Sequence, residues 1–188
     1  MELLKAVNIA LSYLGEYPID NIEDSYNDTV ELVLTNIDIE RKSLITEGWY
    51  FNASKLELKP DATGYVPTPQ NTLSVLGLNG RYVDYNGYLF DLDSDTLATR
   101  TVVARITKDV PFELLPIYAR EVILYRATVS VYVADNGVDN TAQGLEMKAQ
   151  SSYRLLKQEE LRNNRYRQGY PTNRTRGINW NTGYRRGL

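Results

Sequence analysis

Asp91, Asp93 and Asp95 alternate as the first ligands of an EF-hand calcium loop do, and they are the nearest this chain comes to a metal motif. Such a loop needs glycine at position six and glutamate at position twelve. Thr96 and Val102 stand there instead, between stretches that read as strands. A solvated acidic turn is the expected outcome. Glu159 and Glu160 are neighbours along a helix, so their side chains do not converge as a catalytic carboxylate pair must, and nothing nominates a carboxylate-only hydrolase. The 188 residues include no cysteine and no histidine. Disulfides, thiolate metal sites and every histidine-dependent triad are therefore excluded. No phosphate loop, dinucleotide glycine fingerprint or nucleophile elbow occurs. Neither an enzyme activity nor a cofactor is expected.

Charge is the chemistry that remains. The formal net charge of −3 hides an uneven distribution. Arg162, Arg165, Arg167, Arg174, Arg176, Arg185 and Arg186 fall within residues 162–188, which contain no lysine and no acid. The other 14 basic residues face all 24 acids, about −10 for residues 1–161. Tyr166, Tyr170, Trp180 and Tyr184 interleave with these arginines. Three readings stay open for this basic segment. It could meet phosphates and stack on bases without reading sequence. It could dock on an acidic protein surface through aromatic hot spots. It could also be a solubilising tail. Fifteen tyrosines suit a protein rich in interfaces.

The elements that must position these groups are mostly helical. Leu3, Leu4, Val7, Leu11 and Leu14 stripe a helix over Glu2–Leu14, with Gly15 to cap it and Pro18 to stop it. Val30, Val33, Leu34, Ile37, Leu44 and Ile45 stripe a longer helix over Ser25–Glu47, with Asp24, Ser25 and Asn27 as possible caps. Arg41 falls on the apolar stripe and must snorkel or find an acid. Gly48 suits the left-handed residue after the helix, and Trp49 and Phe51 share one side of an extended exit. Strands are expected at Leu56–Leu58, Leu73–Leu78, Arg81–Tyr85, Tyr88–Asp91 and Thr101–Ile106. Asn79-Gly80 and Asn86-Gly87 both read as type I′ hairpin turns, with Tyr85 and Tyr88 pairing across the second. Leu115, Tyr118, Val122, Tyr125, Val129 and Tyr132 stripe a third helix, which Pro116 places near Leu114 or Leu115 at its start. Asp135-Asn136-Gly137 ends it. A fourth helix follows from about Thr141 to Arg165, capped by Asp139 or Asn140, with Ala142, Leu145, Ala149, Ser152 and Leu156 facing inward.

The fold expected is mainly α with a β insertion: an antiparallel four-helix bundle, a small antiparallel β-meander and an extended C-terminal arm. Residues 1–53 supply helices one and two, 54–107 the β insertion, 108–168 helices three and four, and 169–188 the arm, in a single domain overall. A chain of this size buries roughly 70% of its unfolded surface. No apolar run approaches the roughly 20 residues needed to span a bilayer, so no membrane anchor is expected. Nor does the N-terminus have a signal-peptide layout, so synthesis in the cytoplasm is expected.

The long helix ending in Gly48-Trp49-Tyr50-Phe51-Asn52, preceded by Ala6–Leu14 and a Gly15-Glu16-Tyr17-Pro18 exit, resembles the head–tail adaptor (tail tubular protein A) family of short-tailed bacteriophages. The order and spacing of these motifs carry the likeness, and none of them is chemical. Gly48, Trp49 and Phe51 form the core signature. The resemblance implies a structural protein in the virion tail or neck: a homo-oligomeric ring of twelve copies joining the portal protein to the tail nozzle around the channel for genomic DNA. It favours docking of the basic segment on the portal, and it makes Tyr82, Tyr85 and Tyr88 candidate contacts for nozzle or tail fibres. The alternative is a non-sequence-specific nucleic-acid-binding protein using the Arg/aromatic tail.

Overall fold

A computed structural model describes residues 1–23 and 27–167. In chain order it contains α1 (Leu3–Leu14), α2 (Asp28–Thr46), β1 (Ala53–Leu58), β2 (Thr72–Gly77), β3 (Tyr82–Tyr85), β4 (Tyr88–Asp91), β5 (Thr96–Leu97), β6 (Val102–Lys108), a 3-10 turn (Phe112–Leu114), α3 (Ile117–Asn136) and α4 (Asn140–Arg167). The protein is thus a mixed α/β fold of four helices and two small antiparallel sheets among the described residues.

Gly15, at φ 78°, closes α1 as expected, and its N–H donates to the Leu11 carbonyl. The connection beyond is tied back by Asn8, whose amide donates to the Ile19 carbonyl while its carbonyl accepts from the Ile19 N–H, both at 2.9 Å. Asn27 caps α2, accepting from the Thr29 N–H at 2.8 Å. The helix therefore begins at Asp28, three residues later than the Ser25 start; Asp24 and Ser25 lie outside the described residues.

The third helix departs further from the pattern. Leu115 adopts extended backbone (ψ 150°) because the Pro116 ring disfavours a helical residue before it. Pro116 becomes the N-cap and the helix starts at Ile117, not at Leu114 or Leu115. Its buried residues are Ala119, Val122, Ile123, Leu124, Ala127, Thr128 and Val131, whereas Tyr118, Tyr125, Val129 and Tyr132 are only partly buried. The reason is position. α3 packs against α1, α2 and α4, so more than one face is covered and no single stripe describes it. The buried Thr128 hydroxyl is satisfied by the Leu124 carbonyl at 2.8 Å. One continuous core joins α1, α2, Trp49, Phe112, α3 and Leu156 of α4.

α4 matches its pattern closely. Ala142, Leu145, Ala149, Ser152 and Leu156 are all buried, and Asp139 caps the helix by accepting from the Thr141 and Ala142 N–H groups at 2.8 and 2.9 Å.

The β region is not a single meander. β6 lies between β1 and β2 and pairs antiparallel with both, from Ala53↔Thr107 to Leu58↔Val102 and from Thr72↔Lys108 to Gly77↔Ala104. β3, β4 and the two-residue β5, which had no signal in the sequence, form a separate sheet. Asn86-Gly87 makes the expected turn, with φ of 52° and 83° and Tyr85 opposite Tyr88. Asn79-Gly80 does not: β2 and β3 belong to different sheets, and neither residue has positive φ. The Asn79 side chain instead accepts from the Val103 N–H at 3.3 Å. Gly80 leaves room for Tyr82, whose hydroxyl would stand 2.8 Å from an added Cβ. Val66, Leu89, Ala98, Val102, Ala104 and Ile106 form a second core shared by the two sheets.

Candidate interaction surfaces

The signature residues meet at one corner, where α2 turns into β1. Gly48 takes φ 76°, the left-handed region that costs other residues a Cβ clash. Trp49 to Asn52 then form a tight turn rather than an extended exit, because the Asn52 and Ala53 N–H groups both donate to the Trp49 carbonyl at 3.1 and 2.8 Å. Asn52 holds the turn from inside. Its side-chain oxygen accepts from the Trp49 N–H at 2.8 Å, and its amide donates to the Ile45 and Lys108 carbonyls at 2.8 and 3.1 Å. One buried side chain thus ties α2, the turn and β6. The Trp49 indole N–H donates to the Leu44 carbonyl at 2.7 Å, so burying the ring leaves no polar atom unpaired. Trp49 and Phe51 do share a side, their rings parallel within 3° and 6.4 Å apart.

Three further contacts converge on this corner. Tyr153 of α4 meets Trp49 edge-on at 5.7 Å, and the Lys157 ammonium lies 4.9 Å from the Trp49 ring centre. The Tyr50 N–H donates to Glu160 at 2.6 Å and its hydroxyl to Glu159 at 3.1 Å. Burial, with Glu159 and Glu160 alongside, pushes the Tyr50 phenol up to about 12. On the other flank, Arg41 finds the acids its position on the stripe demanded. It pairs with Asp109 and Asp38 and donates to the Val110 carbonyl at 2.8 Å. Burial pulls the guanidinium down, but Asp109 and Asp38 more than offset that and hold it above its usual value.

The three candidate tyrosines separate. Tyr82 is half-buried against the second core, and burial, with Asp91 and Asp93 nearby, raises its phenol. The Tyr88 ring is partly covered by Tyr65 at 6.1 Å. Tyr85 is 58% exposed, with its ring beside Phe90. Only Tyr85 offers most of its surface to a partner. The Asp91–Asp95 turn is a hydrogen-bonded link: Asp91 accepts from the Asp93 N–H, and Asp93 pairs with Arg81 at 2.6 Å. That pairing holds the Asp93 carboxyl below its usual range. No group of three or more His, Cys, Asp or Glu residues is placed to hold a metal ion among the described residues.

Of the basic segment, Arg162 is exposed on α4. Arg165, Tyr166 and Arg167 occupy its last turn, but their side chains lie outside the described residues, as do Tyr170, Arg174, Arg176, Trp180, Tyr184, Arg185 and Arg186 altogether. Sequence reasoning missed Asn52 as a keystone. Its place in the Gly-Trp-x-Phe-Asn run was the available signal. An open groove of about 420 Å³ between α2, α3 and α4 is lined by Glu40, Arg126, Ser130, Glu146, Tyr153 and Arg154. The Ser130 hydroxyl donates to the Arg126 carbonyl at 3.1 Å rather than to Glu40 or Glu146.

These features fit the structural proteins of a bacteriophage tail, and the relatives of the chain are of that class. The tail tubular protein family matches residues 4–166, nearly every described residue. Tail tubular protein A of Klebsiella phage KP34 is 30% identical over 169 residues, covering 88% of this chain and 90% of that one. The chain belongs to the tail tubular protein family.

Proposed function

We propose that this protein is a head-to-tail adaptor of the bacteriophage virion: a subunit of a twelve-membered ring that joins the portal protein to the tail nozzle around the DNA channel. The observation that carries the reading is the family match across the whole helical body and both sheets. The charge split supports it. A closed ring needs two different surfaces of each copy to meet. An acidic body and a cationic C-terminal segment supply opposite signs. Such a subunit works mechanically, converting the symmetry of one ring into a platform for the next. Tyr85, together with Tyr82 and Tyr88 around it, is the contact proposed for nozzle or fibres. Residues 162–188 are the contact proposed for the portal. The helices are proposed to form an antiparallel bundle, with residues 169–188 as an extended arm beyond it. Among the described residues, no helix is long and apolar enough to cross a membrane.

Deleting residues 169–188 tests the portal contact. Capture by purified portal rings should be lost while the thermal transition of the body is retained; capture at the full-length level refutes it. Imaging of the virus neck that shows no collar of this protein refutes the adaptor role itself. The Arg/aromatic composition of 162–188 sustains one second reading, a free nucleic-acid binder. A salt-dependent, sequence-independent affinity of the isolated subunit for DNA would favour it.

A further inference from the structure

α4 carries a face that nothing among the described residues covers. Its core residues, Leu145, Ala149 and Leu156, turn toward α3. At 100° per residue the opposite side presents Met147, Leu155 and Leu161 with Arg154 and Arg162 between them. Met147 is 71% and Leu161 60% exposed. Neither arginine has an ion-pair partner among the described residues. Among the described residues of α4, no acid shares this face. Glu159 and Glu160 are turned to Tyr50, and Glu146 borders the groove on the flank, which Arg154 reaches from the outer face.

α2 carries a second such face. Val33, Ile37 and Leu44 turn into the core, and Leu32 and Ile39, 43% and 57% exposed and seven residues apart, point outward. Asp28 and Glu31 lie on the same side, and the nearby cation, Lys42, is already held by Asp38 at 2.7 Å. Residues 6–40 as a whole contain eight acids and no lysine or arginine. Both helices pack against α3, and each outward face is turned away from it.

We infer that the outer face of α4 docks on the outer face of α2 of a second copy of this chain. Apolar side chains of each meet at the centre, and Arg154 and Arg162 face Asp28 and Glu31. Opposite charge sets partner and register, and the apolar residues supply the buried area. Because the two faces differ, the contact is heterologous and repeats from copy to copy. The inference rests on the ring reading and assigns the surfaces that close it.

The chain has no native cysteine, so single thiols can be placed at will. Full-length Ile39→Cys and Leu155→Cys chains are mixed, treated with a short bis-maleimide and resolved by mass, with the size of the unmodified protein measured by mass photometry. Leu32→Cys with Met147→Cys is a second pair, used if either first variant has a lowered thermal transition. A multimer in solution, with cross-links in the mixture far exceeding those in either variant alone, is expected. A multimer whose cross-links form only between identical positions, or not at all, overturns the assigned faces and leaves the ring intact. A protein that stays monomeric and uncross-linked at every concentration, and also when bound to portal, overturns both.

Discussion

Replacing Asn52 by alanine tests whether the corner is the keystone that its hydrogen bonds describe. The side chain is 6% exposed and makes three bonds, to the Trp49 N–H and to the Ile45 and Lys108 carbonyls. The losses are unequal. The Trp49 N–H becomes a buried donor without a partner, which costs about 1–3 kcal/mol. The Ile45 carbonyl still accepts from the Gly48 N–H, so its loss is smaller, and the two carbonyls together add about 1 kcal/mol. The total of about 2–4 kcal/mol corresponds to a fall in Tm of roughly 5–15 °C for a chain of this length. Calorimetry of the full-length chain reads it directly. Asn36→Ala is the control, since it removes a single exposed bond within α2 and should move stability by less than about 0.5 kcal/mol. Asn52→Asp keeps the acceptor for Trp49 but turns a carboxylate toward two carbonyls. Its folded-state proton affinity should therefore rise, and its deficit against the native protein should shrink as pH falls toward the ordinary aspartate range. An Asn52→Ala transition no lower than that of Asn36→Ala refutes the reasoning.

Gly48→Ala forces a side chain into φ 76° and sets its Cβ 3.2 Å from the Thr107 hydroxyl; a loss of about 1–2 kcal/mol is expected, seen as a lower urea midpoint at unchanged slope. Asp38 is held below its ordinary 3.8 by hydrogen bonds from Lys42 and Arg41. The unfolded chain therefore takes up this proton first, and the stability Asp38 supplies is complete above that value and is lost as pH falls through its lower folded value. Asp38→Asn should lower Tm at neutral pH and converge with the native protein in acid; parallel curves would contradict the assignment. Tyr85→Ser should leave the melting curve within about 0.5 kcal/mol of native, whereas Tyr82→Ala, which strips the cover from Gly77, Gly80 and the second core, should cost about 1–3 kcal/mol. Tyr50→Phe combined with Glu160→Ala should speed amide exchange at residues 158–164 by about tenfold, while residues 142–152 exchange at the native rate; equal acceleration along α4 would show that the corner does not hold its far end.

The contrast between α3 and α4 shows what the sequence could carry. α4 is covered on one side, so its period of 3.6 gives its inner residues without error, and Asp139 announces its start. α3 is covered on several, so its tyrosines keep the spacing of a stripe while smaller neighbours occupy the centre. The two Asn-Gly pairs make a similar point. Each is locally able to form the same turn. Only Asn86-Gly87 does so, because insertion of β6 between β1 and β2 sends the chain after Asn79-Gly80 into another sheet, a long-range pairing that no local signal encodes. The candidate site was legible in type but not in detail. Gly48 and the rings of Trp49 and Phe51 stood out at a helix end, while Asn52 closed the same run with nothing to mark its side chain as buried. Its importance comes from Lys108, far along the chain.

The corner also bears on the proposed mechanical role, because it ties α2, β6 and α4 together. The first half of α4 rests on α3 through small side chains, and close approach of this kind leaves little room for sliding. Its second half is held by different chemistry: Glu159 and Glu160 bond Tyr50, Asn164 bonds Glu160 at 2.6 Å, and Tyr153 and Lys157 bond or pair with Glu47. The point at which α4 delivers the arginine-rich segment is therefore tied to the end of α2, which is tied through Asn52 to β6, the central strand of the first sheet. Three elements far apart in sequence meet within one turn of backbone. On the adaptor reading, a pull on the C-terminal segment passes to the sheets through the hydrogen bonds of Tyr50 and Asn52 and the buried ring of Trp49.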